Sequence, residues 1–318
     1  MRDLLRGYAT AALESAALAG DARLVVTDLS GFSRAFLESD PLRNVLTDPA
    51  IPARARRGVV HDLLEGKAAA ESQALLSWAA LVEPALEFPL VVPALLELAE
   101  QTADAADAGR QLFVPPEELL GGRSAVRERI RGYADRLFQE VDRLERIDDI
   151  EDELFRFAKI VDANRGLRQA LGDPSFAVAR RVGLVEDLLR EKVQPATRRL
   201  VAYVLKAGHV RDLVGTFEWL AELAAEERGR RVAEVRSAVE LDDSERTRLA
   251  AALQRTVGHP VEVRVQIDAS VIGGMTVAIG DTVIDGSVRH RLDQLRETLA
   301  PSSGMALTDR PATAHNGS

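Results

Sequence analysis

The chain has 318 residues, of which 46% are hydrophobic and only 4% aromatic, with no cysteine and a formal net charge of −9. That length accommodates two or three domains with cores of their own. The lack of cysteine excludes a disulfide framework, a thiolate metal site and a cysteine nucleophile, while an acidic chain poor in aromatics argues against a nucleic-acid surface.

From the amino terminus, Leu4, Leu5, Tyr8, Ala12 and Ala16 predict a first helix with a small-residue stripe. Asp3, Arg6 and Glu14 interrupt its apolar run, so it does not read as a signal peptide. Leu29, Phe32, Phe36 and Leu37 share helical spacing and predict a second helix. Proline disfavours the helical region in the residue before it, so Asp48-Pro49 breaks the chain. Val59, Leu63 and Leu64 predict the next helix, and two more are expected around 74–82 and 90–101, with Pro89 and Pro93 near a helix start. The densest apolar run, 74–99, contains Glu83, Pro84, Glu87, Pro89 and Pro93. It cannot supply the roughly 20 uninterrupted apolar residues of a membrane span, so any tie to a membrane is expected to run through a partner.

The chain then repeats itself at an offset of 125. Arg6-Gly7-Tyr8-Ala9 recurs as Arg131-Gly132-Tyr133-Ala134, Leu46 and Asp48-Pro49 as Leu171 and Asp173-Pro174, and Asp62-Leu63-Leu64 as Asp187-Leu188-Leu189. Leu154, Phe157, Ile160 and Val161 follow the second-helix spacing, and Leu184, Leu188 and Leu189 that of the helix after the break. A gapless register of this length means duplication. The fold class expected is therefore mainly α with a C-terminal α+β unit: helical bundles over 1–108 and 125–230, a linker over 109–124, and a β-α-β-β-β-α domain over 231–300. The stretch 301–318 lacks periodicity and reads as a disordered tail.

Within the α+β unit, Ala233, Val235 and Val239 alternate as a strand, and Asp242 with Glu245 three residues on forms a capping-box pattern. The following helix carries Leu249, Leu253 and Val257 and is closed by Gly258. Val261, Val263, Val265 and Ile267 alternate as a strand with one wet face. Gly273-Gly274 permits a bend, Met275, Val277 and Ile279 form a strand, and Gly280-Asp281 suits a two-residue hairpin turn. Thr282 to Ile284 returns, Asp285-Gly286-Ser287 offers helix caps, and Val288, Leu292, Leu295 and Leu299 share one helix face.

Nothing in the sequence reads as a catalytic, cofactor or metal site. None of the five histidines pairs at ligand spacing, no phosphate-binding loop is present, and there is no nucleophile elbow. Arg54, Arg56 and Arg57, like Arg180-Arg181 and Arg198-Arg199, read as solvated helix faces. The acidic run from Asp148 to Glu153 reads as the first turn of a helix. The alanines of the first helix allow close approach, which fits either core packing or a groove admitting another helix. Leu5, Tyr8 and Ala12, with Tyr133 and Leu137 in the second copy, are the candidate lining.

The C-terminal residues, Ile272-Gly273-Gly274, Ile279-Gly280-Asp281, Val283 to Val288 and Arg291-Leu292, resemble in order and spacing the signature of the delta subunit of bacterial F-type ATP synthase. In mitochondria that family is called the oligomycin-sensitivity-conferring protein. The likeness extends through 125–300, and 1–108 joins it through the repeat; the departure is that the familiar delta subunit has one helical bundle and this chain has two. The resemblance implies a stator subunit without cofactor or activity of its own. Its expected partners are the alpha and beta subunits of the catalytic head and the b-type stalk subunits, with no nucleic acid and no membrane insertion. The expected place is the peripheral stalk, at the cytoplasmic face of the cell membrane. It also favours the groove, because the family's helical domain receives an amphipathic helix of the alpha subunit. An all-α RNA-binding or transcription adaptor is the alternative reading.

Overall fold

The computed structural model describes residues 1–109, 123–141, 144–173, 175–207, 212–230, 232–257, 261–268, 271, 274–279 and 282–285. The chain divides into two compact units, Met1–Gly229 and Arg230–Ser318.

The first unit is helical and shows the duplication element by element. The first copy comprises α1 (Asp3–Ala19), α2 (Ala22–Glu38), α3 (Asp40–Thr47), α4 (Ala53–Leu64), α5 (Ala70–Val82), a 3-10 turn (Ala85–Glu87) and α6 (Phe88–Asp107). The second comprises α7 (Arg123–Glu140), α8 (Leu144–Ala163), α9 (Arg165–Gly172), α10 (Val178–Leu189), α11 (Pro195–Lys206) and α12 (Leu213–Arg230). Shifting α3 and α4 by 125 reproduces the limits of α9 and α10.

The local causes repeat as well. Ser39 caps α3 by accepting from the Leu42 amide, and Asn164 caps α9 by accepting from the Leu167 amide. Past each short helix, Asp48 accepts from the Ala50 amide and Asp173 from the Ser175 amide, both at 2.8 Å. An aspartate turning its own backbone in this way stops a helix at a defined residue. A longer-range cap recurs too. Asp28 on α2 accepts from the Ala69 amide and the Ser72 hydroxyl at the start of α5, at 2.8 and 2.7 Å. At the same offset Glu153 on α8 accepts from the Gln194 amide and the Thr197 hydroxyl, at 2.9 and 2.6 Å. Each ties the second helix of its copy to the otherwise unsatisfied N-terminus of the fifth, a contact of a kind whose loss costs about 1 kcal/mol.

Each copy has its own core: Leu29, Phe32, Phe36, Val60, Leu75 and Phe88 among others in the first, and Leu154, Phe157, Val185, Leu200 and Phe217 among others in the second. Several side chains leave the positions their spacing suggests. Leu37 and Ile160 are exposed, because Phe36 and Val161 take the inward positions beside them. Val59 and Leu184 are likewise exposed, and the core residues are Val60 and Val185, one residue or about 100° further round the helix. Arg56 is buried rather than solvated and donates to the Glu83 carbonyl at 3.1 Å. The acidic run lies in the interior of α8, not in its first turn. There Asp148 and Glu151 pair with Arg228 while Glu153 caps α11.

Among the described residues of the second unit, β1 (Val232–Ser237), α13 (Asp243–Val257), β2 (Glu262–Ile267), β3 (Met275–Ile279) and β4 (Thr282–Asp285) form a four-stranded sheet, ordered β2-β1-β3-β4, with one helix. The β1–β2 pair is parallel, as a helical crossover requires, and the other two pairs are antiparallel. Val235 faces Val265 on one side and Val277 on the other. That face, with Ala233 and Ile279, packs with Leu241, Leu253 and Val261 into a small core. The capping box is reciprocal: the Asp242 amide donates to Glu245 at 3.0 Å and the Glu245 amide to Asp242 at 2.8 Å. The amide bond from Glu245, then the Ser244 hydroxyl, holds the Asp242 carboxyl below the usual carboxylate range. Val239 lies beyond β1 and is exposed. The expected Gly258 cap and the final helix through Leu299 lie outside the described residues.

Candidate functional site

The repeated Arg-Gly-Tyr-Ala segments meet each other. Helices α1 and α7 cross so closely that a methyl group added at Gly7 would lie 1.8 Å from the Arg129 carbonyl oxygen. A methyl added at Gly132 would lie 1.9 Å from that of Leu4. Leu4 and Arg129 are themselves 125 apart, so the contact is reciprocal. Each copy offers a glycine to the other copy's backbone, the arrangement of an isologous interface built within one chain. Only glycine fits where two helix backbones touch.

The side chains around the crossing extend this pseudo-symmetry. Tyr8 stacks on Trp78 of α5, with ring centroids 4.8 Å apart, and Tyr133 stacks on Tyr203 of α11 at 3.8 Å. The Tyr8 hydroxyl reaches across to Gln139 at 2.6 Å, and that of Tyr133 reaches back to Glu14, which stands 125 residues before Gln139. All three tyrosines of the chain therefore lie at this junction. Burial raises the pKa of Tyr8, Tyr133 and Tyr203 well above the phenol value, because it penalises the charged form.

The charges do not follow the symmetry. From the second copy, Arg199 donates to the Ala11 carbonyl and the Ser15 hydroxyl, each at 3.0 Å, and lies 3.8 Å from Glu14. Lys206 is 4.0 Å from the same carboxylate, and Arg136 is 3.8 Å from Glu71 of α5. Arg129, fully buried, pairs with Asp3 at 2.7 Å. The residues at the matching positions in the first copy are Ala74, Leu4 and Ala11 for Arg199, Arg129 and Arg136, all uncharged. In the ion pairs that span this junction the first copy supplies the carboxylate and the second the cation, while Glu140 of the second copy pairs with Arg136 and Arg199 beside it and accepts from the Ser15 hydroxyl.

Leu5, Tyr8, Ala12, Tyr133 and Leu137, the candidate groove lining, are all buried here. Helix α7 lies against α1 where a groove would have been open. Of the signature residues, Gly274 has the left-handed φ of 77° that suits glycine, and Asp285 ends β4. Gly273, Gly280, Asp281, Gly286, Ser287, Arg291 and Leu292 lie outside the described residues. One grouping escaped the histidine spacing rule because two of its members are acids: His61, Asp62 and Glu65 bring ligand atoms within 4.8 Å of one another. All three are exposed, and His61 Nδ1 already lies 3.1 Å from the Gln73 amide nitrogen.

What the fold defines is a duplicated helical bundle, locked through its first helices, followed by a small α/β unit. The family model described as ATP synthase delta (OSCP) subunit matches residues 4–108 and 130–299, and the chain belongs to that family. Among its relatives are proteins named ATP synthase subunit delta. That of Nocardioides sp. (strain ATCC BAA-499 / JS614) is 38% identical over 84% of both chains. That of Nocardia farcinica is 33% identical over 94% of this chain and 96% of the relative. That of Salinispora arenicola is 34% identical over 94% of each.

Proposed function

We propose that the protein is a non-catalytic subunit of the peripheral stalk of an F-type ATP synthase. In this reading the helical unit attaches to the alpha and beta subunits of the catalytic head, and the C-terminal unit holds the b-type stalk subunits at the cytoplasmic face of the membrane. The work is mechanical. Rotation of the central stalk drags on the head, and the stator must hold without slipping.

The observation that carries the reading is the family match, which covers both helical copies and the C-terminal unit. The crossing of α1 and α7 supports it physically, since a junction closed by backbone contact and buried aromatics suits a part that transmits torque. Among the described residues no helix is long and apolar enough to cross a membrane. Because α1 and α7 cover each other, head contact would use the outer faces of the bundles. Truncation after Gly229, at the boundary of the two units, is expected to keep head binding and abolish b-type binding by pull-down. Full-affinity b-type binding by the truncated chain would contradict the assignment.

A further inference from the structure

The first turn of α1 is held from both copies at once. From the first copy, Glu83, the residue that ends α5, is buried and accepts from the Arg2 amide at 2.7 Å. Arg56 fixes Glu83 in turn by donating to its carbonyl. From the second copy, buried Arg129 donates to Asp3 at 2.7 Å and to the carbonyl of Ala207, the residue that ends α11, at 3.1 Å. Arg2 and Asp3 thus join the ends of α5 and α11, the equivalent helices of the two copies. The next carbonyl along, that of Leu4, is the one Gly132 meets, so this tie and the crossing share one turn.

The matching residues of the second copy cannot make this tie. At the same offset the sequence has Gly208 for Glu83 and, on the facing helix, Leu4 for Arg129, so acceptor and donor are both gone. Arg127, which matches Arg2, lies over the Trp219 ring of its own copy at 4.2 Å, and Glu128, which matches Asp3, is exposed. The energetics favour a turn that is fully seated. Among the described residues the Arg2 amide is the one hydrogen-bond donor to the Glu83 carboxylate; Oε2 accepts none, and Arg2 Nε stands 4.0 Å from it. Fraying by a single turn would withdraw that amide from a carboxylate that water does not reach, and Asp3 from buried Arg129.

We propose that the first turn of α1 is a one-sided latch that couples the two helical copies. Seated, it ties α1 to the end of α5 and, through Arg129, to α7 and the end of α11. Unseated, it leaves Glu83 without its donor and loosens the crossing from this end alone. The latch is a two-state element, and whatever binds or displaces residues 1–3 biases how tightly the copies hold each other. It belongs to the fold itself and does not depend on which complex the chain joins.

Amide hydrogen exchange on the full-length chain tests the latch, because local opening is read segment by segment. Glu83→Leu is expected to speed exchange by about tenfold or more in residues 2–8 and, across the copy boundary, in residues 126–134 of α7, while α2 and α10 keep their protection. Glu83→Gln, whose amide oxygen still accepts from the Arg2 amide, should stay within about threefold of the parent chain. Should Glu83→Leu fail to fold by circular dichroism, Asp3→Asn, which removes the charge facing Arg129, should speed exchange in the same two segments. Asp28→Ala removes a cap that acts within the first copy, and should open the start of α5 without affecting α7. Faster exchange confined to the first copy would make Glu83 a local cap and overturn the proposal. An equal rise in every helix, the sign of a general loss of stability, would overturn it too.

Discussion

The two helical copies share a skeleton but not a chemistry. The limits of α3 and α4, the aspartate turns after α3 and α9, and the carboxylate caps of α5 and α11 recur at one offset. These turns and caps, set by backbone geometry, are kept in both copies. In the ion pairs at the junction the copies diverge: Glu14 and Glu71 stand in the first copy, and Arg129, Arg136 and Arg199 in the second. A homodimer must present the same residues on both sides of its axis. A duplicated chain is free of that constraint and can place a carboxylate on one side and a guanidinium on the other. The pseudo-dimer has thereby become a directional pair.

The largest effects are expected where the symmetry is strictest. Gly7→Ala and Gly132→Ala each drive a methyl into a backbone carbonyl of the facing helix. Neither neighbour is a flexible side-chain end, so each substitution should cost about 3 kcal/mol by denaturant unfolding, the upper range for overpacking. The two losses should match.

The tyrosines sharpen the comparison from the other side. Tyr133→Phe removes the hydroxyl that donates to buried Glu14 and should cost about 2 kcal/mol. Tyr8→Phe removes a bond to Gln139, which is exposed and can turn to water, and should cost less than about 1 kcal/mol. Equal losses in thermal or denaturant unfolding would mean that the junction is chemically symmetric after all.

A smaller effect appears at high pH, and here the copies act together. Burial raises the pKa of all three phenols in the fold, whereas in the unfolded chain they ionise near the ordinary value of about 10. The folded state therefore holds more protons above that pH, and stability falls as pH rises through and beyond it. Phenolate absorbance should stay low until helicity is lost, and then rise for the three tyrosines at once. Ordinary titration of any of them in a fully helical protein would contradict their burial.

Much of this was legible in the residues, for identifiable reasons. The offset of 125, the Asp-Pro breaks and the Asp242–Glu245 capping box are local patterns, and local patterns survive without knowledge of tertiary contacts. Helix faces were less legible. With 100° between successive residues, Val59 and Val60 are equally plausible on an apolar stripe, and packing against α5 decides for Val60. Arg56 and Arg199 read as surface cations because sequence does not show the carbonyls of Glu83 and Ala11 that receive them. The crossing itself left one trace, a glycine in the interior of each first helix, where it costs about 1 kcal/mol relative to alanine unless close approach requires it. Periodicity suggests that something packs there; it does not say that the partner is the other copy.

The reciprocity of that crossing is open to a double-mutant cycle on Gly7→Ala and Gly132→Ala. If both glycines serve one backbone contact, the first methyl already forces α1 and α7 apart and the second adds little. The double variant should then be destabilised by well under the sum of the single losses, with a coupling of 1 kcal/mol or more, within the range of about 0.5–3 kcal/mol for residues sharing a contact. Strict additivity, or a neutral effect of either single substitution, would contradict the reciprocal crossing.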